Sequence, residues 1–199
     1  MSKNQIIMKD HPMKAFWTVV VSILLAACSA SSEMIVPSKV PSIVPTPTAL
    51  VVYRDVTNKF ELTYSKSDFQ IDSYKYPGVV VDFLLNLKDD FTGKNLEEVR
   101  VSIAVNPECH FIREGFSAFI ESASINRVDF TKYSARDSAS KSNTFETISY
   151  QTFHNELCYE IHTNIREYNL DRFPELTEYS RTLLDTKLDS LIKTFRFLE

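Results

Sequence analysis

The sequence predicts an α+β domain, in which an antiparallel β-sheet is covered by a short helix and a long C-terminal helix. Through most of the region from residue 51 to residue 168, apolar residues alternate with polar ones, as they do in half-buried strands. Near the C-terminus, apolar residues instead recur every three or four positions, as they do on one face of a helix. Strands followed by a helix with a wide apolar face are typical of a sheet with helices packed against it.

The first half of the domain is predicted to consist of strands. The first three cover residues 51–53, 60–64 and 79–87. The third of these is almost continuously apolar, as in a strand that is buried on both faces. After a turn at residues 89–95, residues 99–105 alternate strictly between apolar and polar side chains. Pro107 ends this strand because proline lacks the backbone N–H that a ladder requires.

The second half is predicted to contain two helices and two further strands. Residues 116–123 place Phe116, Phe119, Ile120 and Ala123 on one helical face, and residues 132–143 form a polar loop. Strands follow at 144–153 and 156–168. The last helix is predicted from the apolar stripe of Leu184, Leu188, Leu191 and Phe195. Its start resembles a capping box formed by Thr182 and Asp185.

The residues that precede the domain resemble a bacterial lipoprotein signal. A positive flank at Lys14 and an apolar run at 15–25 lead to Leu25-Ala26-Ala27-Cys28, which resembles a lipobox. The resemblance implies that residues 1–27 are a signal peptide and that the thiol of Cys28 receives a diacylglyceryl group before cleavage. The run has the ~7–15 residues of a secretory signal rather than the ~20 of a membrane-spanning helix, which is the alternative. Translation could start at Met1, Met8 or Met13.

Residues 28–50 are predicted to form a tether between the lipidated Cys28 and the domain at residues 51–199. Four prolines, at positions 37, 41, 45 and 47, are spaced among Ser, Thr and Val, which excludes both helix and central strand. A polyproline-II-like spacer rises ~3.1 Å per residue. We therefore expect a domain anchored to the cell membrane or the outer membrane, facing the periplasm or the extracellular side. Ser29 after the cysteine resembles the pattern of outer-membrane sorting, but the choice of membrane stays open.

The charge of the chain excludes two classes of partner. The predicted signal peptide contains three lysines and one aspartate, so the net charge of −4 becomes −6 after cleavage. An acidic chain without a lysine or arginine cluster is not expected to bind nucleic acid or to be attracted to anionic lipids by charge. Attachment to the membrane is therefore expected to depend on the acyl chains on Cys28.

Both ends of the domain resemble PsbP-like domains. Residues 53–64 read Tyr-Arg-Asp-Val-Thr-Asn-Lys-Phe-Glu-Leu-Thr-Tyr, like the family's opening strands, and residues 188–197 resemble its closing helix. The resemblance implies a PsbP-like sandwich with an assembly or accessory role and without common catalytic residues. Family members usually have Tyr-Pro and then Trp after the second strand, whereas residues 64–69 here read Tyr-Ser-Lys-Ser-Asp-Phe.

No motif for catalysis or for cofactor binding is present. Gly78, Gly93 and Gly115 are isolated, which excludes the glycine-rich turns of nucleotide sites and the G-x-S-x-G elbow. We therefore predict no catalytic residue and no cofactor. The acidic residues at turns and strand edges, including Asp72, Asp89, Asp90, Glu97 and Glu98, are interpreted as surface charges.

The cysteines and histidines leave two alternatives open. His154, Cys158 and His162 are spaced by four, which in a strand separates neighbours by ~13 Å, too far for one ion. A zinc site would require one of them beside Cys109 or His110, and we predict no metal. With Cys28 acylated, Cys109 and Cys158 form either a disulfide, since extracytoplasmic compartments are oxidising, or a pair of buried thiols.

The resemblance to PsbP-like domains implies an accessory or assembly protein, which we expect to bind another envelope or membrane protein. One alternative is a binder or carrier of a small or lipid-like ligand in a cavity between sheet and helices, which a deep apolar pocket would favour. A third is an envelope hydrolase, which a close carboxylate or histidine pair in a cleft would favour. A flat, exposed aromatic patch would favour the protein binder.

Overall fold

The computed structural model describes residues 49–73, 78–109, 119–137 and 141–199. These residues form ten strands and one helix. In chain order they are β1 (Leu50–Asp55), β2 (Phe60–Ser65), β3 (Phe69–Asp72), β4 (Val79–Leu85), β5 (Leu96–Asn106), β6 (Phe119–Ile125), β7 (Val128–Asp137), β8 (Asn143–His154), β9 (Leu157–Tyr168), α1 (Arg181–Ile192) and β10 (Arg196–Phe197).

The strands form two antiparallel sheets. The smaller sheet has the order β1-β2-β10, and the larger has the order β3-β4-β5-β9-β8-β7-β6. Strand β9 lies at the centre of the larger sheet, where Ile161 pairs with Ile103 of β5 on one side and with Tyr150 of β8 on the other. Each strand of the larger sheet is connected to its neighbours by backbone ladders without a parallel crossover.

One hydrophobic core joins the two sheets and the helix. Residues of the smaller sheet and α1 pack with one face of the larger sheet, which we call the inner face; its members include Phe83, Val101, Ile103, Ile161 and Ile165. The ring of Phe60 in β2 stacks on Phe195 with centroids 5.5 Å apart. Because side chains alternate along a strand, the residues between these inner-face positions point to the opposite side, which we call the outer face.

The predicted proportion of helix is wrong, because the described chain is mostly β-sheet. Of the short helix predicted at 116–123, residues 119–123 belong to strand β6 instead, and residues 116–118 lie outside the described part. Strand β6 pairs along its whole length with β7. The two are joined at Asn126 and Arg127, whose φ angles of 51° and 69° match the type I′ turn of a tight hairpin.

The expected polar loop at 132–143 is also wrong in its first part. Residues 132–137 continue β7, and each pairs with a residue of β8 between Phe145 and Tyr150. The hairpin of β6 and β7 extends the larger sheet to seven strands. Sheet therefore covers the part of the core for which the sequence predicted a helix.

The prediction of a long C-terminal helix is wrong as well. Helix α1 contains 12 residues and ends at Ile192. Beyond it, the hydroxyl of Thr194 accepts a bond from the backbone N–H of Thr63 at 2.8 Å and donates to the carbonyl of the same residue at 2.9 Å. These bonds dock the chain against β2, where Phe197 pairs with Phe60.

The start of α1 also differs from the prediction. The N-cap is Ser180, whose hydroxyl accepts a bond from the backbone N–H of Leu183. Asp185 does not complete a capping box with Thr182, because its carboxylate accepts a bond from Arg181 Nε at 2.8 Å.

The predicted signal peptide, with Cys28, and the tether up to residue 48 lie outside the described residues. Strand β1 begins at Leu50, at the predicted end of the tether. Within the described ranges, no helix is long and apolar enough to cross a bilayer.

Candidate functional site

The outer face of the larger sheet is polar at its centre. Five residues stand side by side across neighbouring strands of β4, β5, β9, β8 and β7: Asp82, Ser102, His162, Ser149 and Tyr133. Asp82, Ser102 and Ser149 are buried, although serine and aspartate are usually exposed. A buried polar row of this kind requires internal partners.

Arg100 supplies partners for one end of this row. Its guanidinium donates to Asp82 at 2.6 Å and to Asp72 at 2.7 Å, and Ser102 Oγ donates to the other oxygen of Asp82 at 2.7 Å. Bonds to Glu98, with further bonds to the two aspartates, raise the pKa of Arg100 against the opposing effect of burial. Because this guanidinium is already paired with three carboxylates, it has little capacity to bind an anionic ligand. Asp72 and Glu98, predicted to be surface charges, are two of these carboxylates.

A second polar row lies beside the first, around Glu160. This carboxylate is 1% exposed and accepts a bond from Gln151 Nε2 at 2.7 Å. Asn106 Nδ2 lies 3.4 Å from its second oxygen, and His162 Nε2 lies 3.6 Å from that oxygen. Since a buried carboxylate is costly without such contacts, these side chains hold one another in fixed orientations.

A disulfide between Cys109 and Cys158 closes this end of the outer face. The Cα atoms lie 5.2 Å apart, and Cys158 pairs with Asn106, near the end of β5, in the ladder. The two sulfur atoms and a carboxylate oxygen of Glu160 lie within 4.8 Å of one another. Because the sulfurs are bonded to each other, neither offers the thiolate that zinc requires.

The two described histidines are kept apart. The ring of His154 stacks on Phe197 with centroids 3.8 Å apart, whereas His162 lies on the outer face beside Glu160. His110, the other histidine considered for zinc, lies outside the described residues. The sequence spacing of His154, Cys158 and His162 therefore does not bring them to one site.

The proximity of Ser149, His162 and Glu160 does not create a nucleophile–base pair. Ser149 stands opposite His162 in the ladder, but its hydroxyl is fully buried and has no hydrogen-bond partner. An activated serine needs both a bonded base and access to substrate. The geometry therefore does not favour the envelope hydrolase.

A groove of about 860 Å³ lies at the edge of the outer face, next to the disulfide. It is formed by strands β6, β7 and β8 and by Glu108 and Cys109, which follow β5. Its lining includes Ser122, Ser124, Asp129, Thr131, Gln151 and Phe153. No residue of α1 lines it. The groove is therefore a different place from the cavity between sheet and helices that the ligand-binding alternative predicted.

A smaller groove, of about 440 Å³, lies where β9 meets the chain before α1. There the Tyr179 hydroxyl donates to Glu167 at 2.6 Å, and Arg136 pairs with the same carboxylate at 2.7 Å. Burial, and then the bond to Glu167, raise the pKa of Tyr179. Glu167 thus fixes the side chains of both Tyr179 and Arg136. Nearby, the ring of Tyr168 packs against Phe173 with centroids 4.9 Å apart.

Strand β1 exposes an apolar edge. Leu50 is 70% exposed and Val52 is 55% exposed. The alternate residues, Val51 and Tyr53, pack against the core. In the ladder, β1 pairs with β2, and no described strand pairs with its other side. This combination of an open backbone edge and apolar side chains is unusual for a stable surface.

Sequence reasoning missed the buried polar residues of the outer face. Asp82 lies within an apolar run that was interpreted as a fully buried strand. Ser149 and Gln151 occupy the polar positions of an alternating strand, where solvent exposure is the usual expectation. The signal that could have found them is Glu160, a charged residue that lies between Tyr159 and Ile161 in the strand predicted at residues 156–168.

Comparison with known proteins gives structural similarities only. No family model matches the sequence, and no curated protein does. The solution structure of cyanobacterial PsbP (CyanoP) from Synechocystis sp. PCC 6803 is 12% identical, with a TM-score of 0.44, over 77% of this chain and 95% of that one. A protein from Bacteroides thetaiotaomicron VPI-5482 is 11% identical, with a TM-score of 0.42, over 74% of this chain and 48% of that one. These similarities concern the arrangement of the backbone and not activity, partners or site residues.

Proposed function

We propose that this protein is a lipid-anchored, extracytoplasmic accessory protein that binds another envelope protein through the open edge of β1. The observation that carries the proposal is the apolar side of this edge strand. Leu50 and Val52 point outward with Val56 beyond them, the last being 64% exposed. Neighbouring exposed apolar side chains such as Leu50 and Val52 are typical of interaction sites.

The backbone of β1 defines what a partner must offer. A strand edge presents unpaired N–H and C=O groups, to which an extended segment of another protein can add as a further strand. Alternate side chains of that segment would then meet Leu50 and Val52. The partner is therefore proposed to supply an extended segment with apolar residues at alternate positions.

The charge on this strand does not oppose such pairing. Arg54, the next outward residue, is held by Glu61 of β2 at 2.6 Å, so its charge is already paired. No lysine or proline, the residues that commonly protect an edge, occurs in β1. The strand thus contains neither of these two protecting residues, and its exposed arginine is already paired.

The predicted anchor supports an envelope partner. Leu50 is 22 residues after Cys28, and a proline-rich tether of that length extends over several tens of Å at ~3.1 Å per residue. A lipid on Cys28 would keep β1 within that distance of the bilayer. Replacing Cys28 with Ala should release the protein from the membrane fraction; a variant that is still processed and membrane-bound would contradict the anchoring.

Site-specific photocrosslinking in cells tests the binding surface. A photoreactive amino acid at Val52 should give a discrete crosslinked protein band, identified by mass spectrometry. The matched control is Ile71, an exposed apolar residue in the edge strand β3 of the other sheet. A second variant, L50K, which keeps the photoreactive amino acid at position 52 and changes the other exposed apolar residue of the strand, should weaken or abolish the band. Equal bands at both positions, or none at Val52, would contradict the proposal.

A further inference from the structure

The groove beside the disulfide has the size of a ligand site and is separate from the β1 edge. Its volume of about 860 Å³ lies within the ~300–1,000 Å³ of typical small-molecule sites. It lies on the larger sheet between β6, β7 and β8, whereas β1 belongs to the smaller sheet. A ligand of this groove would therefore bind at a different site from the proposed partner of β1.

The charge of the described lining residues does not favour anionic ligands. Glu108 and Asp129 contribute to the groove, and the described residues that line it include neither lysine nor arginine. The described part of the lining therefore offers no positive charge to bind a phosphate, a carboxylate or an anionic lipid headgroup. The ligand that fits is neutral or cationic.

The hydrogen-bonding groups of the lining favour a neutral polyol. The hydroxyls of Ser122, Ser124 and Thr131 can each donate and accept hydrogen bonds, as the hydroxyls of a sugar require. Gln151, a buried residue of the lining, is held by its bond to Glu160, so this part of the groove is ordered before any ligand arrives, which lowers the entropy cost of binding.

The carboxylates are poorly placed for a cation. Glu108 and Asp129 are both exposed, where water and salt weaken the attraction for a separate charge. Neither forms part of a buried cage. A cationic amine would therefore gain little from them, whereas each can still accept a hydrogen bond from a ligand hydroxyl.

Phe153 completes the arrangement. Its side chain is 65% exposed and lines the groove, although a phenylalanine ring gains from being covered. The face of an aromatic ring suits the apolar C–H face of a pyranose. We infer that this groove binds a neutral saccharide, with Phe153 stacking on a sugar ring and the polar residues of β6, β7 and β8 bonding its hydroxyls.

Binding can be measured on the full chain in a detergent whose headgroup is not a sugar. The probes are maltotriose, cellotriose, mannotriose and N,N′,N″-triacetylchitotriose at millimolar concentration, with spermidine as a cationic comparison, followed by saturation-transfer NMR and calorimetry. At least one saccharide should bind. F153A should weaken that binding at least tenfold, because it removes the stacking ring.

F145A is the matched control, since Phe145 is an exposed phenylalanine on the same face that does not line the groove. It should leave the affinity unchanged, and both variants should keep the melting temperature of the parent. Absence of binding for all four saccharides, an unchanged affinity in F153A, or binding of spermidine alone would each overturn the inference. F153A should also leave the crosslink at Val52 intact, so the two proposals succeed or fail separately.

Discussion

Loss of the bridge between Cys109 and Cys158 should destabilise the domain by about 4 kcal/mol. The two cysteines are separated by 49 residues, and in the chain-entropy model a loop of this length removes ~14 cal/mol/K from the unfolded state. At 25 °C this is about 4 kcal/mol, a large part of the ~5–15 kcal/mol that stabilises a typical domain. For a domain of this size the melting temperature should fall by about 8–16 °C.

The assay is equilibrium unfolding in urea with and without a reductant. C109A is the informative variant, because it removes the bridge while the buried sulfur of Cys158 stays in place. Reduction should destabilise the parent chain and leave C109A unchanged. Since the loss arises in the unfolded chain, the urea dependence of the parent should also steepen on reduction. A loss of less than about 1 kcal/mol in the parent would refute the reasoning.

Three further predictions concern the core, the helix and the acid stability. L184A should cost ~2–5 kcal/mol in urea unfolding, because Leu184 is fully buried and its removal leaves a cavity; a cost below 1 kcal/mol would show that the helix does not belong to the core. S180A should cost ~0.5–2 kcal/mol through loss of the N-cap bond, whereas T182A, at the capping position predicted from the sequence, should cost less. Bonds from Arg196 and Arg54 lower the pKa of Glu61. The ionised carboxylate therefore stabilises the fold at pH values above its unfolded pKa of ~4.3. This stabilisation is lost as the pH falls through the lower pKa of the folded state. E61Q should therefore flatten the decline in melting temperature below pH 4, and an unchanged acid profile would contradict the role of this pair.

The strands could be predicted where one face alone meets the core. Residues 99–105 alternate because Val99, Val101 and Ile103 point to the inner face and the residues between them point to the outer one, so the pattern is complete within the strand. Strand β6 could not be predicted in this way. Its pairing depends on a turn at Asn126 and Arg127, and an arginine at positive φ is uncommon enough to give no sequence signal.

The end of the last helix shows a second limit of periodicity. Phe195 continues the spacing of Leu188 and Leu191, and it is fully buried in the same core. It reaches that core from the turn after the helix, because Thr194 has already bonded to β2. Residues that fill one core can thus keep a helical spacing after the backbone has left the helix.

The buried polar residues of the outer face could not be predicted from the sequence for a related reason. Gln151 and Glu160 bond to each other from neighbouring strands, and Ser149 is buried opposite His162. Whether a polar position in an alternating strand is buried depends on its neighbours across the sheet, which are distant in sequence. The groove depends in addition on β6, so an incorrect helix at this position also concealed the candidate site.

The edges of the two sheets give the strongest physical support for the role of β1. At the ends of the larger sheet, β3 has only four residues, and β6 carries Glu121, which pairs with Lys132. At the other end of the smaller sheet, β10 has two residues. Short strands and charged side chains are the usual protection of an edge against pairing with another chain. Strand β1 combines six residues with two neighbouring exposed apolar side chains on one side, Leu50 and Val52, and the charge of Arg54 on that side is paired with Glu61 within the same sheet. A partner strand would therefore meet little opposition at this edge.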